Sequence, residues 1–582
     1  MSSRRAQVLI PLLILLVSAA VYAPSLGYSF VSDDSRQISM AAPRFAWSAI
    51  PSYFTTDIWS FVEQEKSNYY RPVFLLWLLV NYKAFGDDPF PWHLTTIAVH
   101  LMVVLLLYFL AQKLTKDRIA AAIAALLFGL HPAHTEGVAW VSGVTEPLFA
   151  AFSLGAILCH LRARESENAR DRFRWRSASV ALFALDIFQK ETAIVVPVLL
   201  FADWWLNPDP ASKSWRDRIR AGVLALLPYL YVGVVYMGMR VLALGGFTPH
   251  RSVWGWRMTF WTLPSVAWFY LRGLVWPIGF GMFYDLSAVT QPGWANFVLP
   301  LLSVLLAAAL LLWIARTSRA AAFAAVLTVV PLLPVLYVRA FSPTDLVHHR
   351  YLYVPSAGLA IIVALGFRRL SGWSASAWST AVSAACLATV AALLAWGTVR
   401  ESRPWKDDVT LGAHAVEIAP LSIAAPSFYG GALYLAGRFS EALPYLQASL
   451  SDPRVEDKSD LLYASGLCLM RMEAWSGAKA DFTQVLDIRP NHSQAHLMLG
   501  LAEMQLGELP GAEAELREAL RLRPRVTIQY EGYHYYLATL LEKKGDLNGA
   551  LTEYQTEFQE NPDMQGLAER VADLQRKLGA LP

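Results

Sequence analysis

Eleven apolar runs crowd the first 400 residues, and they constrain this chain more than any other feature. They fall at about 8–27, 93–112, 118–131, 144–161, 177–189, 192–206, 220–243, 296–315, 320–340, 351–367 and 375–398. A bilayer-spanning helix needs roughly 20 mostly apolar residues. Inside hydrocarbon, a helix satisfies its own backbone hydrogen bonds, so a polytopic helical domain is expected over 1–400. Charged residues make up 16% of the chain, against about 25% in soluble domains. The pair 177–189 and 192–206 reads either as a helical hairpin or as one helix kinked around Lys190 and Glu191. Two interrupted runs, 72–85 and 260–279, are amphipathic and are expected to lie at the membrane surface. The run from Val8 follows Ser3-Arg4-Arg5 and is expected to stay as a first span rather than leave as a signal peptide.

Lys and Arg gather in cytoplasmic loops. With the N-terminus inside, the inner segments hold 19 of them, six in Arg162 to Arg176 alone, while the much longer outer segments hold 10. Eleven spans then put everything after the last helix outside, in a periplasm or an organelle lumen. The longest early outer segment is 28–92.

Near residue 400 the composition shifts to Glu, Lys, Arg and Gln with periodic Ala, Leu and Gly, which places a second domain at 401–582. Prolines recur at Pro420, Pro453, Pro490, Pro524 and Pro562, with spacings of 33, 37, 34 and 38. That is close to the tetratricopeptide (TPR) period of about 34 residues. Gly466, Ala478 and Phe482 recur as Gly500, Ala512 and Leu516, then as Ala538, Ala550 and Tyr554. Small residues stand where paired helices would touch. The fold class expected is all-α, a transmembrane helix domain followed by a TPR α-solenoid. Such arrays bind peptide segments or serve only assembly. The net charge of +3 gives no argument for nucleic acid, and the three cysteines, in apolar or helical stretches, indicate no disulfide framework.

Ionisable groups at membrane depth are costly and mark functional sites by default. The outer segments carry Asp33 and Asp34, His131, His134 and Glu136, Glu146, Lys190 and Glu191, and His348, His349, Arg350 and Tyr351. Each has a bland reading beside the functional one. The aspartates suit a solvated loop or a helix cap. The histidines suit interfacial packing. Lys190 and Glu191 suit a local ion pair at a helix break, and Arg350 an interface anchor. His131 and His134 lack an evident third metal ligand, and no metal is expected.

The ordered series Asp33-Asp34, Tyr70-Arg71-Pro72-Val73, His131 to Glu136, Gln189-Lys190-Glu191 and Arg350-Tyr351-Leu352-Tyr353, followed by TPRs, resembles the transmembrane-and-TPR-containing glycosyltransferases. These are relatives of the protein O-mannosyltransferases in the GT-C superfamily. The resemblance implies a GT-C-type membrane domain, a polyprenyl- or dolichyl-phosphate sugar donor, and a catalytic base in the first outer loop, where Asp33 and Asp34 stand. The chain departs from the family pattern in lacking a basic residue before Glu146, in Gln189 where Ser is common, and in His349 where an acidic residue is common.

Transfer from a lipid phosphate needs a carboxylate to deprotonate the acceptor hydroxyl and cations for the leaving phosphate. Asp33 or Asp34 fits the first role. Arg350, Lys190 and Arg71 fit the second, with His131, His134, Glu136, Glu146, Glu191, His349 and Tyr351 in support. A single base implies inversion at the anomeric carbon. The lipid-linked sugar is then a co-substrate, no further cofactor is expected, and a polypeptide or glycan is the acceptor. A membrane-anchored TPR scaffold without enzymatic activity is the alternative. A flippase for lipid-linked sugars would favour internally repeated halves, which the sequence does not display.

Overall fold

The computed structural model describes residues 3–63, 67–208, 214–246, 254–342, 345–372, 377–455, 457–523 and 532–579. Among them the elements are helices and turns, with one isolated bridge between Ser342 and Asp345 and no strand. The chain forms two compact units, Met1–His414 and Ala415–Pro582.

In the first unit, seven helices of the described residues are long and apolar enough to cross a bilayer: Val8–Gly27, Pro89–Thr115, Ser142–Glu165, Trp215–Leu244, Trp294–Ala315, His349–Leu370 and Trp378–Lys406. Each covers one of the expected runs. The other four runs take different forms. Arg118–Gly129 and Arg319–Leu332 are shorter apolar helices. At 1.5 Å per residue, twelve residues reach about 18 Å, too little to cross alone. After Gly129 the chain continues as tight turns, with Leu130 to Thr145 buried throughout. Irregular backbone at membrane depth is tolerated when protein covers it. Residues 177–189 are the end of a helix Ala169–Gln189, and 192–206 becomes a 3-10 turn followed by Val196–Leu206. The 72–85 run is a helix, Pro72–Phe85, with Phe74, Leu75, Leu78 and Leu79 buried. The 260–279 run begins earlier and stops at Val275.

The unit's core lies where Pro89–Thr115, Arg118–Gly129, Thr145–Glu165 and Tyr353–Gly372 pack together. Alanines let them approach: Ala120, Ala121, Ala124 and Ala125 are all buried. Gly358 marks a close approach to the neighbouring helix Arg319–Val329. A Cβ there would stand 2.4 Å from the Ala324 carbonyl oxygen and from Thr328 Oγ1. By contrast Trp294–Ala315 leaves Leu305, Leu306, Leu312 and Trp313 exposed, as a helix facing lipid tails does.

The second unit consists of paired helices: Ala424–Leu435 with Phe439–Leu450, Ser459–Arg471 with Trp475–Ile488, Ser493–Leu506 with Leu509–Leu522, and Tyr533–Lys544 with Leu547–Glu560, then a last helix Leu567–Lys577. Pro420, Pro453, Pro490 and Pro562 sit in the turns between pairs. Pro524 lies outside the described residues. The recurring small residues are contact points. A Cβ on Gly466 would meet Phe482 at 2.7 Å, and one on Gly500 would meet Leu516 at 2.8 Å.

The division after His414 falls beyond the composition change at residue 400. Residues 401–414 bond back to the first unit. Glu401 accepts the Phe280 N–H at 2.8 Å, the Lys406 carbonyl accepts the Ser29 N–H at 3.0 Å, and His414 Nε2 lies 3.0 Å from the Phe280 carbonyl oxygen.

Candidate functional site

Five of the polar residues singled out in the outer segments converge. A cavity of about 340 Å³ is lined by Asp33, Glu136, Arg350 and Tyr351 together with Tyr69, Trp140, Asp345, His348 and Trp405. Five separate stretches of sequence therefore meet at one place.

The two aspartates part ways. Asp34 is fully buried. Its Oδ1 accepts the Ser142 N–H at 2.7 Å and the Ser142 hydroxyl at 2.5 Å, and its Oδ2 accepts the Val31 N–H at 3.1 Å. Burial pushes its carboxyl up to about 7, although Ser142 and Val31 pull the other way. Asp34 thus pins the first outer loop to the start of the span Ser142–Glu165. Asp33, one residue earlier, reaches the cavity wall.

Glu136 accepts the Arg350 backbone N–H at 2.9 Å and also takes the Arg350 Nη1 donor. Among the described residues only Nη1 of that guanidinium donates to a protein acceptor, so Nε and Nη2 retain donors for a ligand. Lys190 and Arg71 do not line the cavity; each stands behind one of its tyrosines. Lys190 Nζ is 5.3 Å from the Tyr351 ring centre and Arg71 Cζ is 4.7 Å from that of Tyr69. Both carry their own carboxylates. Lys190 pairs with Glu146. Arg71 forms a two-pronged bridge to Glu191, Nε to Oε2 at 2.9 Å and Nη2 to Oε1 at 2.5 Å. Burial alone would raise the Glu191 carboxyl, but the Arg71 charge and bonds hold it down at about 2. Burial lowers the Lys190 ammonium, with Glu146 opposing. The local Lys190–Glu191 pair expected from the sequence does not form. Lys190 has extended backbone, φ −153° and ψ 128°, which turns successive side chains to opposite sides.

Three other expected residues serve elsewhere. His131 Nε2 donates to the Leu274 carbonyl at 3.2 Å. His134 is fully buried, 2.8 Å from Ser356 Oγ, with its ring tilted against Phe128 and Tyr353. His349 Nδ1 lies 2.5 Å from the Tyr284 hydroxyl and its ring packs on Phe269 and Phe280. Among the described residues no group of three His, Cys, Asp or Glu has metal-binding geometry.

Sequence reasoning missed the aromatic wall. Trp140 and Trp405 stack with ring centres 5.8 Å apart and planes at 22°, and Arg350 Cζ lies 5.6 Å from the Trp140 ring centre. It also passed over Asp345, whose Oδ2 is 3.5 Å from His348 Nε2. Trp140 has apolar neighbours, Ala139 and Val141, and its stacking partner lies at Trp405, so no local pattern marked it.

Residues 70–236 match the family described as dolichyl-phosphate-mannose-protein mannosyltransferase, and residues 463–526 match a tetratricopeptide repeat family. The chain is similar to Protein O-mannosyl-transferase F38B6.6 of Caenorhabditis elegans, with 26% identity over 70% of this chain and 58% of that protein. It is similar to Protein O-mannosyl-transferase TMTC3 of Mus musculus, with 25% identity over 88% of this chain and 60% of that protein. Among solved structures, ArnT from Cupriavidus metallidurans aligns over 91% of this chain and 84% of its own at 16% identity and a TM-score of 0.41. The chain spans about 60% of the length of the curated relatives it matches. Through the membrane unit and on into the repeats, the chain is similar in sequence to these protein O-mannosyl-transferases.

Proposed function

We propose that the protein is a membrane glycosyltransferase. It moves a sugar, most simply mannose, from a polyprenyl- or dolichyl-phosphate donor to a hydroxyl of a polypeptide on the non-cytoplasmic face. The observation that carries this reading is the shared cavity, which sets a carboxylate, Asp33, and a guanidinium with donors to spare, Arg350, on one wall system. The match of residues 70–236 to the dolichyl-phosphate-mannose-protein mannosyltransferase family supports a donor of this class.

In this reading Asp33 accepts the proton of the acceptor hydroxyl as its oxygen attacks the anomeric carbon. The bond from that carbon to the phosphate oxygen breaks, and the phosphate leaves with the electron pair. Arg350 meets the developing charge with its planar fork, which can bind two phosphate oxygens together. Lys190 and Arg71 act from behind Tyr351 and Tyr69, at a distance that suits field rather than contact. Attack opposite the leaving phosphate inverts the anomeric centre. Asp34 holds the loop instead of reacting. The proposed orientation keeps the N-terminus cytoplasmic, the membrane either a cell membrane or one of endoplasmic-reticulum type. The TPR array then serves a polypeptide acceptor or partner outside.

The test is a transfer assay with purified full-length protein and a panel of radiolabelled polyprenyl-phosphate sugars, wild type beside Asp33→Asn. Label reaching a peptide or glycan, and lost in the variant, supports the reading. Folded protein that neither binds nor transfers from any donor points to a TPR scaffold instead.

A further inference from the structure

The residue that precedes Asp33 has an uncommon backbone. Ser32 has φ +54°, one of three described non-glycine residues in the left-handed region. An L-residue there gives up about 1 kcal/mol or more relative to its ordinary conformations. Strain of this kind persists only where neighbours over-determine it. Here the neighbours are identifiable. On one side, Asp34 bonds to Val31 and Ser142. On the other, the Ser32 N–H donates to Asp408 Oδ1 at 2.7 Å. The Ser29 N–H donates to the Lys406 carbonyl at 3.0 Å. Asp408 lies 376 positions along the chain from Ser32 and heads the helix Asp408–Ile418. The same short stretch supplies Trp405 to the cavity wall.

We infer that Asp408 is a positioning residue for transfer: by holding the Ser32 amide in its strained turn, it aims the Asp33 carboxylate into the cavity. The inference rests on the reading of Asp33 as the base. The bonded Ser32 N–H belongs to the peptide that enters the left-handed turn, and the Asp33 Cα stands one peptide further on. Without Asp408 the turn relaxes toward negative φ, and the carboxylate one residue on swings with it. Misplacement of a reacting group by about 1 Å can cost on the order of 100-fold in rate. Asp408 touches no substrate in this scheme, so donor affinity is untouched.

The experiment compares full-length wild type with Asp408→Ala, Asp408→Asn, Ser32→Gly and the double variant Ser32→Gly/Asp408→Ala. It reads kcat, donor KM, thermal unfolding and amide hydrogen exchange over residues 29–34. Asp408→Ala is expected to lower kcat about 10- to 100-fold at unchanged donor KM, and to speed exchange in the turn. Asp408→Asn keeps an acceptor for the Ser32 N–H and keeps most of the activity. Glycine adopts positive φ without cost, so Ser32→Gly leaves kcat near wild type and, in the double variant, recovers much of what Asp408→Ala lost. Unchanged kcat in Asp408→Ala, a loss that Ser32→Gly does not recover, or equal losses in kcat and donor binding would each overturn the inference. Wild type that transfers from no donor defeats the transferase reading itself, and unaltered exchange in Asp408→Ala then removes the positioning role as well.

Discussion

Glu136 holds Arg350 at two points, with Oε2 on its backbone N–H at 2.9 Å and Oε1 on its guanidinium. One carboxylate thereby sets both where Arg350 enters its span and which way its fork turns. Replacing Glu136 by Ala leaves a largely buried cation without its partner, which costs about 3 kcal/mol. Denaturant unfolding in detergent is expected to show that loss, and transfer is expected to fall more than tenfold. Arg350→Lys keeps the charge but loses the fork, so donor KM rises while the fold holds.

The two adjacent aspartates should separate in mutagenesis. Asp33→Asn is expected to cut kcat by about 10² to 10⁴ with thermal stability close to wild type. Asp34→Asn places an amide N–H against the Val31 donor, and a buried mismatch of that kind costs about 1–3 kcal/mol. Paired unfolding and single-turnover measurements distinguish the two. Equal loss of stability in both variants would contradict the assignment.

Asp34 also has a pH signature. Its folded carboxyl titrates at about 7 against an ordinary 3.8. Between those values the folded chain binds a proton that the unfolded chain has lost, so stability falls as pH rises across that interval and levels off above about 7. The margin of wild type over Asp34→Asn should therefore be smaller at pH 8 than at pH 5. Equilibrium unfolding of both proteins at the two pH values checks this.

The Arg71–Glu191 bridge behaves in the opposite sense. Glu191 titrates at about 2 in the folded chain, so its contribution is complete above its unfolded value of 4.5 and is lost only as pH falls toward 2. A double-mutant cycle with Arg71→Ala and Glu191→Ala should give the same coupling at pH 5 and pH 8. A coupling that collapses at pH 5 would mean the bridge is not formed as described.

In the repeats, Gly466→Ala and Gly500→Ala each drive a methyl group to within 3 Å of Phe482 or Leu516. Overpacking of this size costs about 1–3 kcal/mol. The second unit should unfold at lower temperature, followed by calorimetry, while donor binding to the membrane unit stays as it was.

Much of this was legible in the sequence, for definable reasons. Long apolar runs announce spans because lipid leaves the backbone no alternative, and seven of the eleven runs became long apolar helices. Glycines and prolines at a fixed period announce the repeats because paired helices touch at small residues. Asp33 and Arg350 stood out because charge at such a depth needs a reason. Pairing was not legible. Neighbours in sequence, Lys190 and Glu191, found partners in different elements, Glu146 and Arg71, since extended backbone points them apart. Nor could Trp405 or Asp408 be tied to the first loop, because their contacts cross most of the chain and leave no local pattern.

The three ion pairs around the cavity have a consequence for how a charged substrate arrives. Arg350, Lys190 and Arg71 are each matched by a carboxylate within contact, so none of the three presents an unmatched positive charge to the surrounding water. In the proposed reaction, an anionic lipid phosphate would meet the Nε and Nη2 donors of Arg350 only once it is already alongside. Long-range steering, which salt would weaken, has little part in that. A donor confined to the bilayer needs none, because diffusion in two dimensions brings it to the helices. Rates of donor capture should then follow the donor's density in the membrane and stay nearly flat with ionic strength.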